Sequence, residues 1–470
     1  MLSRSQRELE LLAVDPKTGK TQSVLTERSD AWVNIDQDVP RPLSDGSGFL
    51  WSSERQGQRE LEIRDYQGGL KRIVVDKTQG FRKLLHVDEK SGYVSYAASI
   101  EPANQDIYRV SLSSGNPIRL TPGSGYHMAS FGQHPGVYVL SSFSTTQLGK
   151  TVVMRIPETS LAASADQIVA ELPSVATTPP FVPNLELTQV GAQSYRSMLV
   201  RPRNFQPGKK YPVLVHVYGG PHHNQVMSVA GMYMLDQWLA DHGFIVFMAD
   251  GRGTGGRGTT WEQAISGNFG DIPLDDQVAA LQAAGERFPE MDLSRVGVFG
   301  WSFGGYMAAL AVLRRPDVFH VGVAGAPVVD WRDYDTCYTE RYISTPKENP
   351  DGYDRSSLLT YAPQLRRPLL LIHGTADDNV LFFHSLKLSQ ALFRAGKPHE
   401  LLPLPGLTHM VPDPVITERM WGRIVGAFAA VLHPELEHLA VKPGSGAPPL
   451  PEPIPAAPAG NVPKKPLPRR

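Results

Sequence analysis

The sequence predicts an all-β domain followed by an α/β domain whose sheet is doubly wound and mostly parallel. Residues 1–178 read as short strands separated by turn residues, and residues 179–434 alternate apolar strand runs with helical segments. More than a quarter of residues 435–470 are proline, so this tail is expected to be disordered or polyproline II. At 470 residues the chain exceeds what one hydrophobic core usually serves, which also favours two domains.

The N-terminal part contains a repeat. Segments at 48–51, 92–95 and 136–139 each open a strand with glycine, at a spacing of 44 residues. A period near 40–45 residues with about four strands each is typical of β-propeller blades. Residues 8–25 resemble the end of a further blade, so we predict about three and a half blades of an incomplete propeller, with a small open sheet sandwich as the alternative. We therefore expect a fragment or a truncated gene product that begins inside a propeller and is weakly active.

The second part alternates strands with helices, which predicts a mostly parallel sheet covered by helices on both faces. The apolar strand runs are 212–218, 243–249, 295–299, 321–324 and 368–372. Ligands of such sheets bind at the carboxyl ends of the strands. The site is therefore expected where these strands end.

Composition excludes several classes of function. The formal net charge is -1, which argues against nucleic acid or an anionic membrane as a partner. A single cysteine, Cys337, excludes an internal disulfide framework and a zinc cluster, and we expect its thiol to be buried. No run of ~18 apolar residues predicts a membrane span, and residues 1–12 lack the apolar stretch of a signal peptide. As written, the chain carries no export signal, which leaves its compartment open.

The run Gly300-Trp301-Ser302-Phe303-Gly304 follows a predicted strand and opens a helical segment. This strand-turn-helix context is what a nucleophile elbow requires, and it predicts an α/β-hydrolase fold with Ser302 as the nucleophile. Glycines two places on either side of the serine fit a turn with little room for side chains. The sequence therefore predicts a serine hydrolase.

A serine nucleophile needs a base and a carboxylate, which follow it in the order Ser, Asp, His in this fold. Asp377 lies in the loop after strand 368–372, and we prefer it to Asp378, which could cap the next helix. His409, in the loop after a predicted strand at 400–404, is the candidate base. His373 is expected to fix its loop by hydrogen bonding.

The oxyanion needs two donors. The backbone N–H of Phe303 supplies one because it follows the nucleophile at the start of a helix. Tyr218, at the end of strand 212–218, offers a phenol, with a core tyrosine as the alternative. The glycine-rich run 251–256 fits the sequence fingerprint of a dinucleotide-binding loop. The predicted catalytic serine, acid and histidine would occupy the same crevice at the edge of the sheet. We therefore expect neither a cofactor nor a metal.

Residues 211–432 resemble the catalytic domain of the dipeptidyl peptidase IV branch of the prolyl oligopeptidase family of serine peptidases. The matching stretches lie at 217–221, 250–253, 300–306, 326–328, 338–342 and 373–380. The family also has a β-propeller in front of its hydrolase. The resemblance implies peptide substrates, a triad of Ser302, Asp377 and His409, and Tyr218 as the oxyanion donor. A homodimer is a further expectation.

The resemblance also implies a small pocket for proline or alanine and a carbonyl-binding amide, Asn379. The pocket residues would be Val328, Trp331, Tyr334, Tyr338 and Val380. Aromatic faces suit a rigid pyrrolidine ring and exclude long side chains.

This chain departs from the family in two ways. It has Phe303 where the family usually has tyrosine, a small change because the backbone N–H acts there. Family members that release dipeptides hold the substrate amine with two adjacent glutamates, and no Glu-Glu pair occurs in this sequence. We expect that pair upstream of Met1.

The predicted function is a peptidase that releases N-terminal X-Pro or X-Ala dipeptides. The alternatives are an oligopeptidase or acylaminoacyl peptidase, a carboxylic ester hydrolase, and a non-catalytic binding protein.

Overall fold

The structure is a computed structural model that describes residues 1–113, 115–132, 136–156 and 166–435. Met1–Glu435 forms one compact unit. The predicted proline-rich tail beyond Glu435 lies outside the described residues. The predicted domain boundaries stay predictions.

The described N-terminal residues form antiparallel sheets. A two-stranded sheet, β1–β2, precedes three four-stranded sheets with the orders β3–β4–β5–β6, β10–β9–β8–β7 and β11–β12–β13–β14 among the described residues. The strands are β1 (Glu8–Val14), β2 (Thr21–Arg28), β3 (Arg41–Pro42), β4 (Phe49–Ser53), β5 (Glu60–Arg64), β6 (Leu70–Val75), β7 (Phe81–Asp88), β8 (Tyr93–Ala98), β9 (Asp106–Ser111), β10 (Ile118–Arg119), β11 (Tyr126–Phe131), β12 (Val137–Phe143), β13 (Lys150–Arg155) and β14 (Gln167–Leu172).

These sheets follow the sequence repeat. The strands β4, β8 and β12 coincide with the three glycine-led segments, and each pairs with the next strand along the chain. Leu50, Leu61, Val94 and Tyr96 are fully buried in one apolar cluster that joins the first two four-stranded sheets. The repeated antiparallel sheets are as predicted, and a propeller stays a prediction.

The second part of the chain is built on an eight-stranded sheet. Its order is β15–β16–β18–β17–β19–β20–β21–β22, with β16 antiparallel to both of its neighbours and the strands from β18 onward parallel to one another. Its strands are β15 (Leu185–Val190), β16 (Tyr195–Val200), β17 (Tyr211–His216), β18 (Ile245–Asp250), β19 (Met291–Trp301), β20 (Val321–Gly325), β21 (Leu369–Gly374) and β22 (Glu400–Leu404). The predicted mostly parallel sheet is confirmed.

Helices cover both faces of this sheet. They are α1 (Met234–Ala240), α2 (Thr259–Glu262), α3 (Asp271–Arg287), α4 (Phe303–Arg314), α5 (Thr336–Ile343), α6 (Pro350–Ser356), α7 (Leu358–Tyr361), α8 (Phe383–Arg394) and α9 (Pro414–Leu432). Along β17, Val213 and Val215 belong to the apolar cluster that also contains α4, whereas Leu214 belongs to the cluster with α9. This alternation follows from the two-residue period of a strand. The sheet is therefore doubly wound, in the α/β-hydrolase manner.

None of the helices in the described part of the chain combines the length and apolar character needed to cross a bilayer.

Candidate active site

Ser302 occupies the turn between β19 and α4. Its φ is +61°, in the left-handed region that non-glycine residues rarely adopt. Two hydrogen bonds hold the turn: the Ser302 N–H donates to the Gly325 carbonyl at 2.9 Å, and the Tyr306 N–H donates to the Ser302 carbonyl at 3.0 Å. Strain of this kind persists only where the surroundings enforce it, and it is common at functional sites.

The glycines around Ser302 are required by close packing. A Cβ atom on Gly300 or on Gly304 would lie closer than 3.0 Å to the Val217 carbonyl oxygen. Real Cβ atoms do not approach backbone this closely, so both positions must remain glycine. This contact brings the end of β17 against the elbow.

Asp377 and His409 are joined by a hydrogen bond. The His409 Nδ1 lies 2.7 Å from the Asp377 Oδ2. The other carboxylate oxygen accepts from the backbone N–H groups of Asn379, at 3.0 Å, and Val380, at 2.9 Å. Because Asp377 is buried and holds Nδ1 as a donor, Nε2 of His409 is left as the nitrogen that can accept a proton.

A second histidine, His373, also contacts the carboxylate of Asp377. Its Nε2 lies 2.7 Å from the Val380 carbonyl, which can only accept, so Nε2 donates there and toward Asp377 at 3.2 Å. Ser385 lies 2.8 Å from its Nδ1. Burial lowers the pKa of His373, so the imidazole is neutral at neutral pH. Asp378 does not cap α8, which begins at Phe383 without a side-chain cap, so that suggestion from the sequence was wrong.

Ser302 and His409 line one cavity of about 710 Å³. Among the described residues, the Ser302 hydroxyl makes no hydrogen bond, and such bonds are often long in structures without substrate. The Trp301 indole N–H donates to the His409 carbonyl at 2.8 Å. This bond ties the histidine loop to the residue before the nucleophile.

The two candidate oxyanion donors lie beside each other. Phe303 is the first residue of α4, where backbone N–H groups have no partner within the helix. The Tyr218 ring centroid lies 6.0 Å from that of Phe303. Burial raises the pKa of the Tyr218 hydroxyl, which therefore keeps its proton at neutral pH. A protonated phenol and a free N–H can both donate to an oxyanion.

The predicted acyl pocket is an aromatic cluster next to the elbow. The Trp331 ring contacts Phe303, Tyr334 and Tyr338, with centroid distances of 5.3, 5.7 and 6.1 Å. Val328 and Val380 are buried in the same apolar core, and Tyr334 and Tyr338 pack against it. The three aromatic residues are therefore in mutual contact, and the two valines lie in the apolar core against which they pack.

Asn379 lies at the edge of this cluster. The Tyr334 hydroxyl donates to its side-chain oxygen at 2.8 Å. In the described part of the chain its side-chain nitrogen has no hydrogen-bond partner. The amide is therefore oriented to donate to a further acceptor.

Two family models match the chain. The model described as "Prolyl oligopeptidase family" matches residues 233–430, which include Ser302, Asp377 and His409. The model described as "Dipeptidyl peptidase IV (DPP IV) N-terminal region" matches residues 1–148. The chain belongs to the prolyl oligopeptidase family, in its dipeptidyl peptidase IV branch. The family recognised from sequence motifs is thereby confirmed.

Relatives in this family match both parts of the chain. Dipeptidyl peptidase 8 of Homo sapiens is 36% identical over 347 residues, which cover 70% of this chain and 38% of the relative. Dipeptidyl peptidase 8 of Mus musculus is 35% identical over 439 residues, which cover 83% and 48%. The crystal structure of Porphyromonas gingivalis dipeptidyl peptidase 4 superimposes with a TM-score of 0.83 at 30% identity, over 92% of this chain and 61% of that one. The chain spans about half the length or less of the curated relatives it matches.

Sequence reasoning did not assign a role to Asp250, which supports the loop that carries Tyr218. Its carboxylate accepts from the N–H groups of Gln225, at 2.9 Å, and Val226, at 3.1 Å. Gln225 in turn accepts from the Tyr218 N–H at 3.1 Å. Burial raises the pKa of Asp250 to about 7. Its position directly at the end of an apolar strand was the signal that could have identified it.

Cys337 is exposed, so the expected buried thiol was wrong. It lies in the first turn of α5, one residue before Tyr338. The Gln6 side chain covers this turn by donating to the Cys337 carbonyl at 2.6 Å. The helix turns Tyr338 toward the pocket and leaves the thiol outside.

Proposed function

We propose that this chain is a serine peptidase that releases N-terminal dipeptides with proline or alanine in the second position. The observation that carries the proposal is the Asp377–His409 pair in one cavity with Ser302, beside the aromatic cluster around Trp331. Relatives named dipeptidyl peptidase support the release of dipeptides. The proposed acyl-binding residues are Val328, Trp331, Tyr334, Tyr338 and Val380.

The proposed reaction proceeds through an acyl-enzyme. His409 takes the Ser302 proton as the hydroxyl oxygen attacks the scissile carbonyl, and Asp377 stabilises the imidazolium that forms. The oxyanion accepts from the Phe303 N–H and the Tyr218 hydroxyl. His409 then gives its proton to the leaving amine, and a water molecule activated by the same base hydrolyses the ester. Asn379 donates to a carbonyl of the bound dipeptide.

Chromogenic dipeptides test this specificity. The purified chain should cleave Gly-Pro and Ala-Pro p-nitroanilides at least as fast as their N-acetylated forms. Ser302→Ala should lose roughly a million-fold in kcat, because a triad acts as a unit. Circular dichroism would show whether that variant keeps its fold.

Other outcomes identify the alternatives. A preference for the N-blocked substrates would replace the proposal with an oligopeptidase or acylaminoacyl peptidase, which shares the same catalytic residues. Turnover of p-nitrophenyl esters without cleavage of any peptide would indicate a carboxylic ester hydrolase. A homodimer is a further proposal, and light scattering on the purified chain measures it.

A further inference from the structure

The cavity that contains Ser302 extends away from the aromatic acyl pocket. Its volume of about 710 Å³ lies within the range of small-ligand sites. Of the described residues in its wall, none is one of the five proposed acyl-pocket side chains, and Asn379, which is proposed to bind a carbonyl of the dipeptide, lies where the two spaces meet. Tyr218 separates the two spaces, because its ring packs toward Phe303 on one side and lies 4.2 Å from the His223 ring on the other.

The position of His409 indicates that this cavity lies on the side of Ser302 where the leaving part of the peptide passes. In the proposed mechanism His409 gives its proton to the leaving amine, so the leaving peptide lies on the side of Ser302 where His409 stands. His409 and the next two residues, Met410 and Val411, all line the cavity. The cavity therefore lies where the residues after the scissile bond must pass.

The walls of the cavity are mostly apolar. Trp301, Trp421, Met232 and Met410 line it, and the Trp421 ring packs on Phe299 at 5.8 Å. Met232 is 51% exposed and Met410 is 68% exposed, so apolar surface at the mouth faces water in the free protein. Covering that surface with an apolar side chain would be favourable.

Several polar groups in the wall are already bonded within the protein. The His216 Nδ1 lies 2.7 Å from the buried carboxylate of Asp236. The Gln225 side-chain oxygen accepts from a backbone N–H, and the Thr417 hydroxyl donates to the Val411 carbonyl at 2.7 Å. A charged side chain entering the cavity would lose water and find few free partners.

We propose that this cavity binds a large apolar side chain of the residue that follows the scissile bond. The enzyme then selects substrates at two positions: a compact second residue in the acyl pocket and a leucine-like or phenylalanine-like third residue in the cavity. This inference rests on the proposed function.

Peptides that differ only at the third residue test it. The chain is incubated with Gly-Pro-Leu-Ala, Gly-Pro-Gly-Ala and Gly-Pro-Asp-Ala, and release of Gly-Pro is followed by chromatography. We expect kcat/KM for the leucine peptide to exceed that for the glycine peptide by about tenfold or more, with the aspartate peptide lowest. Equal values for all three would overturn the inference and leave the proposed function standing. Release from none of them would overturn both.

A substitution in the cavity wall tests whether the preference for leucine at the third residue arises in this cavity. Met232→Asp places a carboxylate at the mouth of the cavity and should lower the ratio of leucine to glycine kcat/KM about threefold or more. Using the ratio cancels any general loss of activity. Phe393→Asp, at an 82% exposed position on α8 outside the cavity wall, is the matched control and should leave the ratio unchanged. A ratio that stays unchanged in Met232→Asp would contradict the assignment.

Discussion

At the scale of single residues, the candidate site combines one strained position with several ordinary ones. Ser302 has a backbone conformation that its surroundings impose, whereas Asp377 and His409 are held by hydrogen bonds from flanking loops. Each carboxylate oxygen of Asp377 has at least two partners. That arrangement leaves Nε2 of His409 as the nitrogen that can accept a proton, as the proposed role of base requires.

Tyr218→Phe tests the proposed oxyanion donor. The substitution removes the hydroxyl while keeping the ring that packs against Phe303 and His223. We expect kcat with Gly-Pro p-nitroanilide to fall roughly 10²–10³-fold with little change in KM, because the hydroxyl bonds only to developing charge. Tyr66→Phe, at an exposed tyrosine, is the control. A kcat within threefold of the parent would assign Tyr218 to the core instead.

At the scale of elements, the elbow depends on the contact between β17 and the start of α4. The Val217 carbonyl oxygen lies against both Gly300 and Gly304, so there is no space for a methyl group at either glycine. Val217 is the first residue after β17, and Tyr218 follows it in the same loop. The proposed nucleophile, Ser302, and the proposed oxyanion donor, Tyr218, are therefore both positioned by this backbone contact.

Gly304→Ala should disturb this contact. The added methyl meets backbone, which cannot rotate away, so we expect a loss of about 1–3 kcal/mol in the free energy of unfolding and a large fall in kcat. Gly426→Ala in α9 is the matched control, because nothing lies within 4 Å of its added Cβ. Alanine is the better helix former, so the control should be unchanged or slightly more stable. Thermal unfolding and activity measure both, and equal behaviour of the two variants would refute the contact argument.

At the scale of the whole molecule, the N-terminal segment and the hydrolase share partly buried polar contacts. The Asn34 side-chain nitrogen donates to Glu54 at 2.9 Å and to Glu262 at 3.2 Å. Arg341, on the helix that carries Tyr338, donates to the Asn34 oxygen at 2.9 Å. These bonds couple the acyl-pocket helix to residues more than 300 positions away in sequence.

This junction should make stability depend on pH. Burial, with a further contribution from Glu54, raises the pKa of Glu262 from 4.5 to about 7. Between these values the folded chain keeps a proton that the unfolded chain has lost, so the contribution of Glu262 to stability falls as pH rises, by up to roughly 3 kcal/mol. Glu262→Gln mimics the protonated form and should remove that dependence.

The melting temperature of Glu262→Gln minus that of the parent should therefore increase from pH 5 to pH 7.5. Glu418→Gln, at an exposed position of α9, is the matched control for the general effect of replacing a glutamate by glutamine. A constant difference for Glu262→Gln would mean that the carboxyl titrates in the folded chain as it does in the unfolded one.

Features that depend on nearby residues could be predicted from the sequence. The turn at Ser302, the acid after β21 and the histidine after β22 all follow from apolar strand runs, glycine spacing and the chain order of the fold. The repeat of 44 residues predicted the antiparallel sheets in the same way. Backbone sterics and side-chain periodicity act over a few positions, so a pattern is enough to reveal them.

Features that depend on which distant segments meet were decided only by the tertiary structure. The contact of Asn34 with Glu262 joins residues 228 positions apart, and no local pattern marks either partner. The apolar cavity beside His409 and the exposure of Cys337 likewise arise from packing between separate elements. Burial and pairing are properties of the assembled fold, so a sequence by itself names the catalytic groups while the tertiary structure determines what surrounds them.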